Sequence, residues 1–224
     1  MKNGLTTLRK KNMAKILTHL SKNAYSSTEL SKLTGLSSTG VFTILDEMVE
    51  RNMLYKTDDL ESTSIGRRPI LYNITRECGL ICVIDFCQLK RMSLFSFGRE
   101  EIFSYDFKDS IYDEAFFCEL IGILTAQLCK FSIPLININI AITGAIDHDS
   151  GEFLFAPAFN DYKNFNVKRM FESAFSVPVY IKNDLKYALI AEKSFGRLGD
   201  KICNTMYLQL GLGFGSALYL NNKL

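Results

Sequence analysis

Residues 27–49 read STELSKLTGLSSTGVFTILDEMV. A polar residue, Ser27 or Thr28, can cap a short helix carrying Leu30 and Leu33, and Gly35 ends it because a residue without Cβ adopts positive φ at little cost. Ser37 then caps a second, longer helix that puts Val41, Ile44, Leu45, Met48 and Val49 on one face. Upstream, Leu5, Leu8, Ala14, Ile16, Leu17 and Leu20 recur near the helical period over 5–21. Downstream, Met53 to Tyr55, a polar stretch, Gly66-Arg67-Arg68-Pro69 and the run Ile70 to Ile74 read as a β-hairpin with a basic tip. Three helices closed by such a hairpin predict a winged helix-turn-helix over residues 1–76, a duplex-DNA reader. Its groove-facing candidates are Ser37, Ser38, Thr39 and Thr43, and Arg67 and Arg68 are placed to meet phosphate. A plain packing module of three helices, or solvated loop arginines, fits the same residues.

The charge supports the division. Residues 1–76 hold twelve Lys and Arg against seven Asp and Glu, a net of +5, whereas 77–224 hold fourteen against seventeen, a net of −3. A basic amino-terminal part and an acidic remainder imply different partners. The 224 residues are 47% hydrophobic and 22% charged, which excludes disordered and collagen-like classes. No apolar run approaches the roughly 18 residues that span a bilayer and no secretory leader is visible, so a cytoplasmic protein without membrane contact is expected. Cys78, Cys82, Cys87, Cys118, Cys129 and Cys203 show no CxxC spacing, and His19 and His148 stand apart from them. Buried free thiols, with no metal site and no cofactor, are the expectation.

From residue 80 the period becomes that of strands. Leu80–Phe86, Lys90–Phe97 and Glu101–Phe107 predict an antiparallel meander, followed by a helix over Ile111–Lys130. Leu135 to Ile142 reads as a strand buried on both faces. A turn over Thr143–Gly151, a helix over Val167–Phe175, a strand over Val179–Lys182 and a helix over Asp184–Phe195 follow. The last strands, Thr205–Leu210 and Ser216–Leu220, flank the glycine loop Gly211-Leu212-Gly213-Phe214-Gly215.

Taken with the segment Leu8 to Pro69, the motifs Ala141-Ile-Thr-Gly-Ala-Ile-Asp147, Pro178-Val-Tyr-Ile-Lys-Asn-Asp184 and Gly211-Leu-Gly-Phe-Gly215 resemble the ROK family (repressors, open reading frames, kinases), in its winged-helix repressor branch. The resemblance covers nearly the whole chain. It implies an α/β fold with an actin-like, ribonuclease H-like ATPase lobe over 77–224, complete in its first lobe and only begun in its second. Asp184 would match the family's catalytic base and Asn183 would hydrogen-bond a sugar, while both also suit a helix N-cap. Gly211, Gly213 and Gly215 would form a phosphate loop, a pattern that turn geometry explains equally.

Departures from the family bear on activity. The kinase Asp-x-Gly-Gly-Thr loop reads Asp85-Phe86-Cys87-Gln88-Leu89, the family's sugar-contacting Pro-Asn is Pro157-Ala158, and Ser38 and Gly40 replace an Arg and a Thr of the recognition helix. The family's Gly-Glu-x-x-His segment and cysteine-rich zinc motif would fall beyond residue 224, so a C-terminally truncated member is expected. The resemblance therefore implies a DNA-binding regulator, a repressor responsive to a sugar, dimeric if the shortened lobe permits pairing and without catalysis. A sugar kinase that phosphorylates a hexose from ATP, and a non-functional remnant, are the alternatives.

Overall fold

The computed structural model describes residues 2–58, 69–108, 112–147, 150–156, 159, 166–196, 202–211, 213–221 and 223–224, with side chains from residue 8 onward. The chain has an α/β fold with amino-terminal helices and a mixed sheet, and it divides into two compact units: Met1–Cys78 with Phe97–Arg99, and Gly79–Ser96 with Glu100–Leu224.

The first unit contains α1 (Lys2–Leu20), β1 (Tyr25–Ser26), α2 (Ser27–Thr34), α3 (Ser38–Glu50), β2 (Leu54–Asp58) and β3 (Ile70–Ile74). The α2 cap is Ser26, a residue earlier than either expected one. β1 pairs antiparallel with β3, Ser26 against Leu71, and leaves Ser26 extended at φ −75°, ψ 162°. There its hydroxyl accepts the Glu29 N–H at 3.3 Å while the Glu29 carboxylate accepts the Ser26 N–H at 2.8 Å, a reciprocal capping box. α2 ends at Gly35 with φ 69°, and Ser37 caps α3 by accepting the Gly40 N–H at 3.2 Å. β2 and β3 pair from Leu54↔Ile74 to Asp58↔Ile70, so the strands of the expected hairpin are present; its tip, including Arg67 and Arg68, lies outside the described residues. Ile16, Leu20, Leu30, Val41, Ile44, Leu45, Met48, Leu54 and Tyr72 form the core. Leu8 and Leu33, expected on apolar faces, are 56% and 48% exposed.

The second unit opens with β4 (Leu80–Asp85), β5 (Arg91–Ser96) and β6 (Glu101–Asp106), then α4 (Glu114–Leu128) and β7 (Leu135–Ile142). A short hairpin follows, β8 (Ala145–Ile146) with β9 (Phe153–Phe155), inside and just beyond the stretch expected to be only a turn. Then come α5 (Val167–Phe175), β10 (Val179–Asn183), α6 (Asp184–Phe195), β11 (Thr205–Leu210) and β12 (Phe214–Tyr219). The main sheet runs β10-β7-β4-β5-β6, with β10, β7 and β4 parallel and β4, β5 and β6 an antiparallel meander.

Burial on β7 corrects one expectation. Ile138, Ile140 and Ile142 are fully buried in a core shared with Phe117, Leu120 and Leu124 of α4 and Phe171 of α5, but Asn137, Asn139 and Ala141 on the other face are only half-buried. The run alternates Ile with Asn, so only one face can enter an apolar core. The thiol expectation is corrected as well. Cys82 is buried, Cys78 and Cys87 are half-buried, and Cys118, Cys129 and Cys203 are exposed. Cys118 sits on α4 between Phe117 and Leu120, whose inward spacing turns it outward. No helix among the described residues is long and apolar enough to cross a membrane.

Candidate functional site

The expected surface of the first unit is α3. Ser37, Ser38, Thr39 and Thr43 are all exposed, as is Phe42 at 52%, a residue the sequence reading passed over. Phe42 falls between buried Val41 and Ile44, where the helical period points outward, and that is the signal available for it. The Thr43 hydroxyl donates to the Thr39 carbonyl at 2.9 Å, which fixes its rotamer. Two carboxylates of α3 are engaged by cations: Glu47 by Arg9 and by Arg51 at 2.6 Å, Asp46 by Lys56 at 3.1 Å. Exposed pairs of this kind contribute little stability, but they reduce the negative charge the helix presents to a polyanion.

The second candidate lies where β4, β7 and β10 end. Asp85 closes its own loop. Its Oδ1 accepts the N–H groups of Cys87 at 2.7 Å and Gln88 at 3.2 Å, and its Oδ2 accepts that of Leu89 at 3.3 Å. Phe86 is buried against Phe107, Tyr112, Phe117 and Phe159, with ring centroids 5.0–5.6 Å apart, and pins the loop to the core. The strand β10 delivers Asn183 and Asp184 to the opposite wall. Asn183 Oδ1 accepts the Leu185 N–H at 3.0 Å, capping α6, and its Nδ2 donates to the Gly144 carbonyl at 3.1 Å. Gly144 has φ 141° and a Cβ there would stand 2.1 Å from the Phe155 carbonyl oxygen, so only glycine can offer that carbonyl. The two amide ends of Asn183 are thus tied to backbone.

Asp184 is half-buried on the first turn of α6. Burial pushes its carboxyl above the usual range, the N–H groups of Leu185 and of Asp184 itself oppose this, and the neighbouring charge of Asp85 adds to it. Between the two carboxylates sits the Cys87 thiol, hydrogen-bonded to Thr143 as well; burial, reinforced by Asp184 and Asp85, pushes it up to about 12, so it is inert as a nucleophile.

Gly211, Gly213 and Gly215 line the same cleft of about 680 Å³ as Asn183, Asp184, Cys87 and Gln88. The expected sugar-facing pair and the glycine loop are therefore brought together. Their glycines differ in what they serve: a Cβ on Gly215 would meet Leu185 Cδ1 at 2.4 Å, whereas none of Gly211's or Gly213's surroundings would obstruct one. Gln209, also on the cleft, was missed. β11 reads TMYLQL, and it is the Thr205, Tyr207, Gln209 side that faces inward while Met206, Leu208 and Leu210 are exposed. Pro157 and Ala158 lie outside the described residues. Among the described residues no cluster of three His, Cys, Asp or Glu could hold a metal ion.

The second unit thus sets a mixed sheet beside helices, with an acidic residue opening a helix on the same cleft as a glycine loop. Residues 114–224 match the model of the ROK family, and the chain belongs to that family. It is 28% identical over 216 residues to the xylose repressor of Caldicellulosiruptor bescii, covering 92% of this chain and 53% of that one. A shorter stretch of 88 residues, 39% of this chain, is 31% identical to the β-glucoside kinase of Listeria monocytogenes, 30% of whose length it covers. The fold is shared with the crystal structure of an ROK family transcriptional regulator homologous to the E. coli MLC protein, at TM-score 0.68, 18% identity, 96% coverage of this chain and 56% of that one. The chain spans about half the length of the curated relatives it matches most fully.

Proposed function

We propose that this protein is a DNA-binding transcriptional regulator responsive to a sugar, with residues 1–76 acting as a winged helix, residues 77–224 as an actin-like sensor domain, and no phosphoryl transfer. The observation that carries the reading is the Asp85 loop. A kinase of this architecture needs backbone N–H groups free to meet phosphate. Here three successive N–H groups are turned onto the Asp85 carboxylate, and Cys87 and Gln88 carry side chains into the cleft. Anion binding would have to displace a carboxylate, in a site where Asp184 already adds negative charge.

The first unit supports the other half of the proposal. α3 presents a small, hydroxylated and apolar face, Ser38, Thr39, Phe42 and Thr43, able to contact thymine methyls and base edges in a major groove. Arg67 and Arg68 would add phosphate contacts from the hairpin tip. The first four curated relatives, at 24–28% identity, are xylose repressors or a putative one, and their alignments take in 92–98% of this chain. Within the cleft, Asp184 would accept a sugar hydroxyl and Asn183 would hold the β10–α6 junction in place. Binding at palindromic half-sites would require a dimer.

The test is a mobility shift of the intact chain on the DNA upstream of its own gene. A complex is expected in low salt that weakens steeply as salt rises, because Lys and Arg release condensed counterions. Phe42→Ala should weaken the complex by about tenfold on specific DNA and leave its salt slope unchanged. Absence of any salt-sensitive complex, together with hexose-dependent ATP consumption lost in Asp184→Asn, would transfer the assignment to the kinase alternative.

A further inference from the structure

We infer that the sensor domain takes a neutral glycoside bearing an apolar aglycone, an aryl or alkyl glycoside, in preference to a free sugar; the inference rests on the sugar-responsive reading above and deepens it. A second cavity, of about 490 Å³, adjoins the 680 Å³ cleft. Both volumes fall in the range of roughly 300–1,000 Å³ usual for small-ligand sites. Cys87, Gln88, Asp184, Leu185 and Gln209 line both, so the two spaces meet at a junction of an acid, two amides, a thiol and one apolar side chain.

On the two sides of that junction the chemistry differs. The larger cleft offers Thr143, Lys186 and Ser216, with the backbone of the glycine loop: groups that hydrogen-bond hydroxyls. The smaller cavity is walled by Val83 and Ala141 from the half-buried face of the main sheet, by Tyr187 and Ala188 of α6, and by Tyr207 of β11. The helix makes this wall by its spacing. Asp184, Tyr187, Ala188 and Ala191 follow one another at the intervals that share a helix face. The acid stands at the junction, and alanines at two of the next positions leave the volume open. The Tyr187 ring is held in place, its hydroxyl donating to the Tyr180 carbonyl at 3.0 Å and standing 3.5 Å from Asn139 Oδ1. A wall fixed before binding costs little to order and suits an apolar or aromatic group lying against it. The carboxylates of Asp85 and Asp184 disfavour a phosphorylated sugar at the same junction.

Isothermal titration of the intact chain with D-glucose, D-xylose, their phenyl β-glycosides and phenol provides the test. At least one phenyl glycoside should bind about tenfold or more tightly than its parent sugar and more tightly than phenol, the gain expected for removing an aromatic ring from water. Ala188→Phe and, separately, Ala191→Leu should each fill the apolar side and abolish that preference in protein whose circular dichroism spectrum is unchanged. Equal affinity for parent sugar and phenyl glycoside would overturn the inference and leave the sugar-responsive reading standing. A preference that survives both substitutions, or one matched by phenol, would overturn it too. No binding by any of the four carbohydrates would remove the sugar-responsive reading itself.

Discussion

The Ser26–Glu29 box shows what one residue pair does for the first unit. Glu29 is held below the usual carboxylate range by the Ser26 N–H, with the Ser26 hydroxyl adding to the effect. A group lowered by folding contributes stability above its unfolded pKa and loses it as pH falls through the lowered value. Ser26→Ala should therefore cost about 1 kcal/mol at neutral pH by urea denaturation, with a smaller deficit once Glu29 is protonated. Asp184 behaves in the opposite sense. Its carboxyl is raised, chiefly by burial, so the folded chain binds this proton more readily and the ionised form weighs against folding. The stability of the parent chain relative to Asp184→Asn should fall as pH rises through that raised value and level off above it. A difference that instead grew with pH would contradict the environment described for Asp184.

At the scale of elements, α6 joins the candidate site to the last hairpin. Leu185 and Leu189 pack with Ala217, and Gly215 lets the Leu185 side chain approach β12. Gly215→Ala should destabilise the second unit by about 1 kcal/mol, since only the end of the Leu185 side chain must shift, while Gly211→Ala, with nothing near its Cβ, should leave the thermal midpoint in place. The periodic signal for α6 and α3 was strong enough to place both helices and the cap Ser37. It was not strong enough to place Ser26, because that cap depends on β1 pairing with β3 across more than forty residues. The β8–β9 hairpin was hidden for a similar reason: strands of two and three residues carry no readable period.

Over the whole molecule, the exposed side of β11–β12 carries Met206, Leu208, Leu210, Phe214, Leu218 and Leu220, of which Leu210 is 81% exposed. An apolar face of this kind drives association in water. The apparent molar mass of the purified chain by static light scattering should rise with concentration, and replacing Leu208 and Leu210 by Lys should suppress that rise without changing the circular dichroism spectrum. Period two alone would have turned this face inward. The packing of Tyr207 and Ala217 against α6 reverses it, and only the fold discloses that. By itself the amino-acid sequence determined the elements, since propensity, caps and period are local: three helices and paired strands, a meander, alternating helix and strand, and the Asn183-Asp184 and glycine-loop motifs. The tertiary structure decided what those motifs meet. Asp85 turned onto its own loop, Asn183 tied to Gly144, Cys87 set between two carboxylates and Gln209 turned into the cleft all join groups distant in sequence or set by loop geometry, and such contacts follow from packing.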